Sequence, residues 1–381
     1  MLISHFCFSL DTSKGGVPNG VLKIVKQLTE YGIRGQIIST GNTKSQLVRN
    51  SGNTTDLQAI GVKFVYSLSK FQNNYGIGSL RGLKKQLKEM SKPDLIVLHQ
   101  IYTFSTILGY WYATKFGIPF AVMPHGSLTK YHESDSRVVK LLAKKLIISK
   151  ILRDSKAVIV TCVSEKTDLT TLLQSKAYNL PYGAVIPEER IENSRVEQQS
   201  RGNLRIIFSG RFDKKKNLPL LIKSLPQVLE KHPKLILDIA GSGTAKEIKE
   251  INRLISSLKL ESNVEIHGWI ETKKMQQLLT ASKLLVLPSM NENFANVVSE
   301  ALSLGIPCVV SKFVGTADFV AKHQAGVVID ELTSASIADG IIKVLQGDGA
   351  AYRKAAIEAT RDELDWSKIA LQWKALVNSL S

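Results

Sequence analysis

The chain is predicted to be α/β, with two Rossmann-like domains facing across a cleft. Three observations predict this class. Strand-like and helix-like segments alternate along nearly the whole chain. The strand-like segments are short continuous apolar runs, as expected of parallel strands covered on both faces. The chain has 381 residues, more than one doubly wound core ordinarily uses.

In the first half the strands are expected at "LISHFCFS", "GQIIST", "VKFVYS", "DLIVLHQ", "PFAVMPHG" and "AVIVTCVS". Helical stretches between them include "GVLKIVKQLTEYG", "LRGLKKQLKEM" and "TFSTILGYWYATKFG". From about 186 to 204, "IPEERIENSRVEQQSRGN" is polar and aperiodic, and is read as a linker. The alternation restarts at "LRIIFSG" and continues through "KLILDIAG", "NVEIHGW", "KLLVLPS", "IPCVVS" and "AGVVID". Helices are expected at 217–232, 244–259, 271–282, 295–304, 315–323 and 334–347, with a last amphipathic helix in "DELDWSKIALQWKALVNSLS". The domains are therefore drawn at 1–190 and 203–365, with 366–381 as a closing helix.

Composition narrows the function classes. A net charge of +17 calls for an anionic partner: nucleic acid, a membrane surface or a phosphorylated small molecule. Aromatic residues are only 7%, and no basic run is interleaved with stacking aromatics, so nucleic acid is not expected. No apolar run approaches the roughly 20 residues of a bilayer span. "MLISHFCFSL" reads as a first strand rather than a signal peptide, so a cytoplasmic location is expected. Cys7, Cys162 and Cys308 each lie in an apolar run and are read as core thiols.

Four stretches could carry chemistry. "GGVPNG", Gly15 to Gly20, follows the first strand and precedes a helix. Its glycines would let backbone N–H groups approach a phosphate, though an ordinary tight turn reads the same way. It lacks the G-x-G-x-x-G fingerprint, and "GSGTAK" fails at Lys246, so a nicotinamide enzyme is disfavoured. "SGRFDKKKN" places Arg211 and Lys216 after a strand, where a fork and a point charge can grip a diphosphate; a solvated basic loop is the alternative. "MPHGSL" puts His125 at a strand's carboxyl end, as a site residue or a packed one, while the other six histidines are taken as structural or surface residues.

The fourth stretch is "NENFANVVSEAL", with Glu292 before a helix start and Glu300 in its second turn. The N–H groups of Ala295 to Val298 would be the helix's unpaired donors, favouring a phosphate between the two carboxylates. That arrangement suits a nucleotide sugar, with the sugar towards Glu292 and the ribose at Glu300. The competing reading is a non-catalytic anion-binding protein for nucleic acid or polysaccharide, which has no use for the paired glutamates. A UDP-sugar epimerase on the same fold is a further alternative.

"NENFANVVSEAL" resembles the E-x7-E signature of the retaining group 1 glycosyltransferases of GT-B fold, relatives of sucrose and glycogen synthases. The glycine-rich first loop, "PHG", "GR" with a following "KN", "HGW" and "LPS" fall in that family's order, and the closing segment is similar to its helix that crosses back onto the first domain. The resemblance implies that Gly15 and Gly16 lie against donor phosphates, that His125 contacts the transferred sugar, and that Arg211 and Lys216 hold the diphosphate. It places Glu300 at the ribose and Glu292 at the sugar hydroxyls, with Asn293, Phe294, Ala295, Asn296 and Val297 alongside. Ala295 stands where the family usually has glycine.

No D-x-D metal motif is found, so a reaction without cofactor or metal is expected, the diphosphate being stabilised by Arg211, Lys216 and the helix N-terminus. The expected partners are a UDP-hexose donor, UDP-glucose by commonness, and a glycan or lipid-linked glycan acceptor at loops 40–80 and 126–137. Residues 134–156 carry seven basic and two acidic side chains among apolar ones, which makes an anionic membrane surface a candidate partner and a peripheral location an expectation.

Overall fold

The computed structural model describes residues 1–10, 16–39, 63–66, 87, 90–129, 141–185 and 204–380. Gly15, the linker and most of the two acceptor-side loops lie outside the described residues. The chain divides into two compact units, Met1–Tyr182 with Trp366–Ser381, and Gly183–Asp365.

The first unit is built on β1 (Leu2–Cys7), β2 (Arg34–Ser39), β3 (Lys63–Tyr66), β4 (Leu95–His99), β5 (Phe120–Met123), β6 (Ala157–Val160) and β7 (Ala177–Asn179). They pair in the order β3-β2-β1-β4-β5-β6-β7, every described ladder parallel. Parallel strands leave no solvated face, which is why β1, β4, β5 and β6 are buried along their whole lengths. Helix α1 (Gly16–Glu30) and α2 (Phe104–Phe116) follow β1 and β4. Thr103 caps α2 by accepting from the Thr106 amide, and Gly117 ends it in the left-handed conformation that glycine tolerates. A Cβ on Gly109 would come within 2.3 Å of Leu98, so α2 lies against the sheet at a position only glycine permits.

The second unit has β8 (Arg205–Ser209), β9 (Ile236–Ala240), β10 (Val264–Gly268), β11 (Leu285–Leu287), β12 (Cys308–Ser311) and β13 (Gly326–Ile329), ordered β10-β9-β8-β11-β12-β13 and again parallel. Its core runs through Ile206, Phe208, Leu221, Ile222, Ile239, Val298 and Ile341. In both sheets the first strand lies beside the fourth, so the loops after those two strands part at a switch point open to a ligand. The two parallel α/β domains expected from the alternation are present.

Three local expectations need correction. Helix α1 begins at Gly16, so most of "GGVPNG" is helix rather than loop; Pro18 fits because first-turn N–H groups need no intrahelical partner. The run "AVIVTCVS" leaves the sheet at Val160, and a short helix Val163–Thr167 follows. A helix at Gly349–Glu363, capped by Asp348, was not anticipated. The closing helix is Trp366–Leu380; Trp373 is fully buried there, in the first unit. Among the described residues no helix is long and apolar enough to cross a membrane, and the three cysteines are free and buried.

Candidate functional site

In the second unit the switch point lies between β8 and β11. The chain leaves β8 at Gly210, where an added Cβ would meet the Lys216 stem at 3.0 Å, so the lysine is laid across a glycine. Gly241, at φ +154, packs so closely that its Cβ would strike the Gly210 carbonyl. Asp213 caps the 3-10 turn Lys214–Lys216 and pairs with Arg211 at 2.9 Å, while the Arg211 side chain stays exposed. Lys216 Nζ reaches Glu292 Oε1 at 2.7 Å. The two loops are also tied through the backbone, the Met290 N–H donating to the Lys215 carbonyl at 2.7 Å.

Glu292 is held from behind as well. Its N–H donates to the Phe313 carbonyl, and its own carbonyl accepts from Gly315. Lys216 and Glu292 are 16% and 18% exposed, so the pair is largely withdrawn from water, and losing one partner would strand the other's charge. The helix α3 (Asn296–Ser303) starts directly beyond, with Ala295 as its N-cap at φ 61. That conformation is costly for any residue with a Cβ. The Val298 N–H already donates to the Ala295 carbonyl, which leaves fewer free donors than the sequence suggested. Phe294 is buried, and Asn293, Val297 and Glu300 are half-buried around the helix start. Ser289 Oγ, Asn296 Oδ1 and Thr316 Oγ1 are buried without a hydrogen-bond partner, on the loops and helix start that frame Glu292. Buried polar atoms left in that state cost free energy that a ligand's donors and acceptors would recover.

The first unit presents a different arrangement. His125, at φ 54, and Gly126, at φ 78, form a left-handed turn after β5. The buried Glu165 holds it, accepting from the Gly126 N–H at 2.6 Å and from the Thr161 N–H at 2.9 Å. Both ring nitrogens of His125 have partners: Nε2 meets His99 Nδ1 at 2.8 Å, and Nδ1 meets the Tyr182 hydroxyl at 2.9 Å. His99 Nε2 in turn meets His5 Nδ1 at 2.9 Å. Burial pushes His5 and His125 down to about 3 and holds His99 well below the ordinary imidazole value, so all three rings are neutral. Tyr182 also touches α1: a Cβ on Gly20 would lie 2.4 Å from its hydroxyl oxygen. The N-terminal turn carrying Gly16 is thereby seated on the same tyrosine that meets His125.

The structure thus joins Lys216 to Glu292, and it places His125 in a network with three residues the sequence left aside: His99, His5 and Tyr182. The signal was present, since His5 and His99 sit in strands, and His125 in the turn after a strand, that prove to be neighbours, but strand adjacency is not written in the sequence. The one group of metal-ligand type among the described residues, Asp238, Glu265 and His267, surrounds Arg205. The guanidinium bonds both Asp238 oxygens and Glu265, and His267 Nε2 meets Asp238 Oδ1 at 2.6 Å. These carboxylates already have a cation.

Comparison with known proteins meets this geometry. Residues 189–363 match the family of glycosyl transferases group 1, and residues 15–180 match the glycosyl transferase 4-like domain. The YqgM glycosyltransferase of Bacillus subtilis is 24% identical over 70% of this chain and 72% of its own length. The phosphatidyl-myo-inositol mannosyltransferase of Mycobacterium tuberculosis is 28% identical over 52% of this chain, and the match spans about half of that relative, 53%. Among solved structures, Anabaena HepE in complex with UDP and glucose superposes with a TM-score of 0.76, at 17% identity, covering 100% of this chain and 99% of that one. At that identity the likeness establishes the fold, which is GT-B.

Proposed function

Because the chain belongs to the group 1 glycosyltransferases, we propose that it moves a hexosyl group from a nucleoside diphosphate sugar to a hydroxyl of a glycan or lipid-linked glycan. The observation that carries this reading is the Lys216–Glu292 pair beside the start of α3 at the second unit's switch point. A UDP-hexose, with UDP-glucose first, is the donor most consistent with HepE's ligands and with a hexose-transferring relative.

In this reading the diphosphate lies against Arg211, the start of α3 and the Lys216 ammonium. Lys216 has three N–H donors, so it can keep Glu292 while reaching a phosphate oxygen. As the bond from the anomeric carbon to the phosphate oxygen breaks, negative charge grows on the phosphate and positive charge on the sugar ring. The cations and helix N-terminus oppose the first, and the Glu292 carboxylate opposes the second. The acceptor hydroxyl attacks from the same face, giving its proton to the departing phosphate, and the anomeric configuration is retained. Glu300 accepts from the ribose hydroxyls, and Asn293 to Val297 line the sugar and phosphates. No metal is needed for charge balance in this scheme.

The helix Leu141–Asp154 exposes Leu146 and Ile147 on a segment that also carries Lys150 and Arg153, which supports contact with an anionic membrane surface. Flotation with anionic vesicles tests that part, and protein left in the soluble fraction at low salt rejects it. The reaction is tested by incubating the protein with UDP-glucose and other UDP-hexoses, with and without EDTA, and following UDP release and the product anomer by NMR. Release that survives EDTA and gives the donor's own anomeric configuration is expected. An inverted anomer, or release that EDTA abolishes, would overturn the scheme.

A further inference from the structure

We propose that His99, backed by His5, is a positioning residue that ties the tautomer of His125 to its own, so that the three rings hold one concerted proton arrangement. It thereby sets whether His125 donates to or accepts from a hydroxyl. The role of His125 towards a sugar rests on the transferase reading; the tautomer claim does not.

The three rings stand on neighbouring elements, His5 within β1, His99 at the end of β4 and His125 in the turn after β5. Their planes are nearly parallel, at 24° between His5 and His99 and 19° between His99 and His125. Nitrogen–nitrogen contacts of 2.9 and 2.8 Å each hold a single proton. A neutral imidazole has one N–H and one bare nitrogen, so it donates to one neighbour and accepts from the other. Only two arrangements keep every contact. In one, Tyr182 donates to His125 Nδ1, His125 Nε2 donates to His99, and His99 donates to His5. In the other every proton runs the opposite way.

Reversing one ring alone would leave two N–H groups facing each other or two bare nitrogens facing each other, both inside the sheet. His5 is 1% exposed and His99 0%, so water cannot repair such a break. Charging a ring is opposed by the same burial, which keeps the chain neutral. His125 Nδ1 is the end that meets a hydroxyl, at present that of Tyr182. A substrate hydroxyl arriving at this turn would meet a nitrogen whose sense is set from within the sheet.

The test is imidazole 15N spectroscopy on the labelled full-length protein without substrate. Each of the three rings is expected to show one protonated and one bare nitrogen, unmoved from roughly pH 5.5 to 8, a range in which a free imidazole titrates. His99→Phe should bring the two His125 resonances towards a common averaged shift, and His99→Gln, which has both a donor and an acceptor, should separate them again. Tyr182→Phe breaks only the outer contact and should leave them separate. If Tyr182→Phe averages them, or a folded His99→Phe does not, the tautomer is set elsewhere and the proposal falls. Should His99→Phe fail to fold, His99→Gln and Tyr182→Phe still decide it.

With a UDP-hexose, His99→Phe should lower kcat about tenfold while changing the donor KM less than about twofold, with recovery in His99→Gln. Because the spectra need no substrate, a failed tautomer test leaves the transferase reading standing. Correct tautomers without turnover strike that reading alone.

Discussion

At the carboxyl edge of the first sheet, His5, His99, His125 and Tyr182 hold one another through neutral hydrogen bonds; at that of the second, Lys216 holds Glu292 by charge. The two sheets share a strand order over their first six strands, and in each the loops part between the first and fourth strands. What differs is solvent access. His5 and His99 are closed off from water and must stay uncharged. Lys216 and Glu292 keep about a sixth of their surface, enough for a paired charge to persist and for an anion to reach it. One site is built to hold a shape, the other to meet charge.

The largest effect expected from that contrast is on chemistry in the second unit. Glu292→Gln keeps the size of the side chain and a partner for Lys216 while removing the carboxylate charge. Turnover should fall about a hundredfold or more, whereas thermal stabilisation by the nucleoside diphosphate should persist. Near-normal turnover would remove Glu292 from the mechanism.

Acid should separate the two units next. His5 and His125 have folded values lowered to about 3 from an ordinary 6.5, so the unfolded chain binds more protons below that value. Their contribution is fully present above about 6.5 and is lost as pH falls from there towards 3. Each ring contributes up to about 1.4 kcal/mol per pH unit. Hydrogen exchange at pH 5 against pH 7 should show β1, β4 and β5 losing protection more than β8 and β9. Equal loss in both sheets would contradict the assignment of neutral rings.

Lys216→Ala leaves a half-buried carboxylate unpaired and should cost about 1 to 2 kcal/mol, less than a fully buried pair would because water still reaches the site. Arg211→Ala, at an exposed pair, should change stability by under about 0.5 kcal/mol. Equal melting shifts for the two would mean the Lys216–Glu292 contact carries no weight. The smallest effect is expected at Ala295, whose φ of 61 favours glycine. Ala295→Gly should raise stability by at most about 1 kcal/mol, seen as a small rise in Tm.

Much of the second unit was legible because its strands are continuous apolar runs and its helices start and stop at Thr244, Thr333 and Gly305 in the usual ways. Glu292 and Lys216 were each found by position relative to a strand or helix. Their contact was not, since it depends on β8 lying beside β11. The helix Gly349–Glu363 escaped because its buried face is made of Ala356, Ala359 and Thr360, which leave almost no periodic apolar signal. His5 and His99 escaped for a different reason. A histidine in an apolar strand reads as a packed residue, and only the ring contacts between neighbouring strands and the turn after β5 show that three of them meet. Tyr182 was passed over in a stretch that fitted no motif, yet it links Gly20 of α1 to His125.

The most direct test of the central claim is thermal stabilisation across UDP, GDP, ADP, NAD and short oligonucleotides at equal concentration, in the wild-type chain and in Glu300→Ala. A ligand that binds only the folded state raises stability as RT ln(1 + [L]/Kd). One nucleoside diphosphate, UDP on the present reading, should raise Tm in the wild type and lose most of that effect in Glu300→Ala. A rise with oligonucleotides alone, or a UDP effect untouched by Glu300→Ala, would contradict a nucleotide-sugar site at the start of α3.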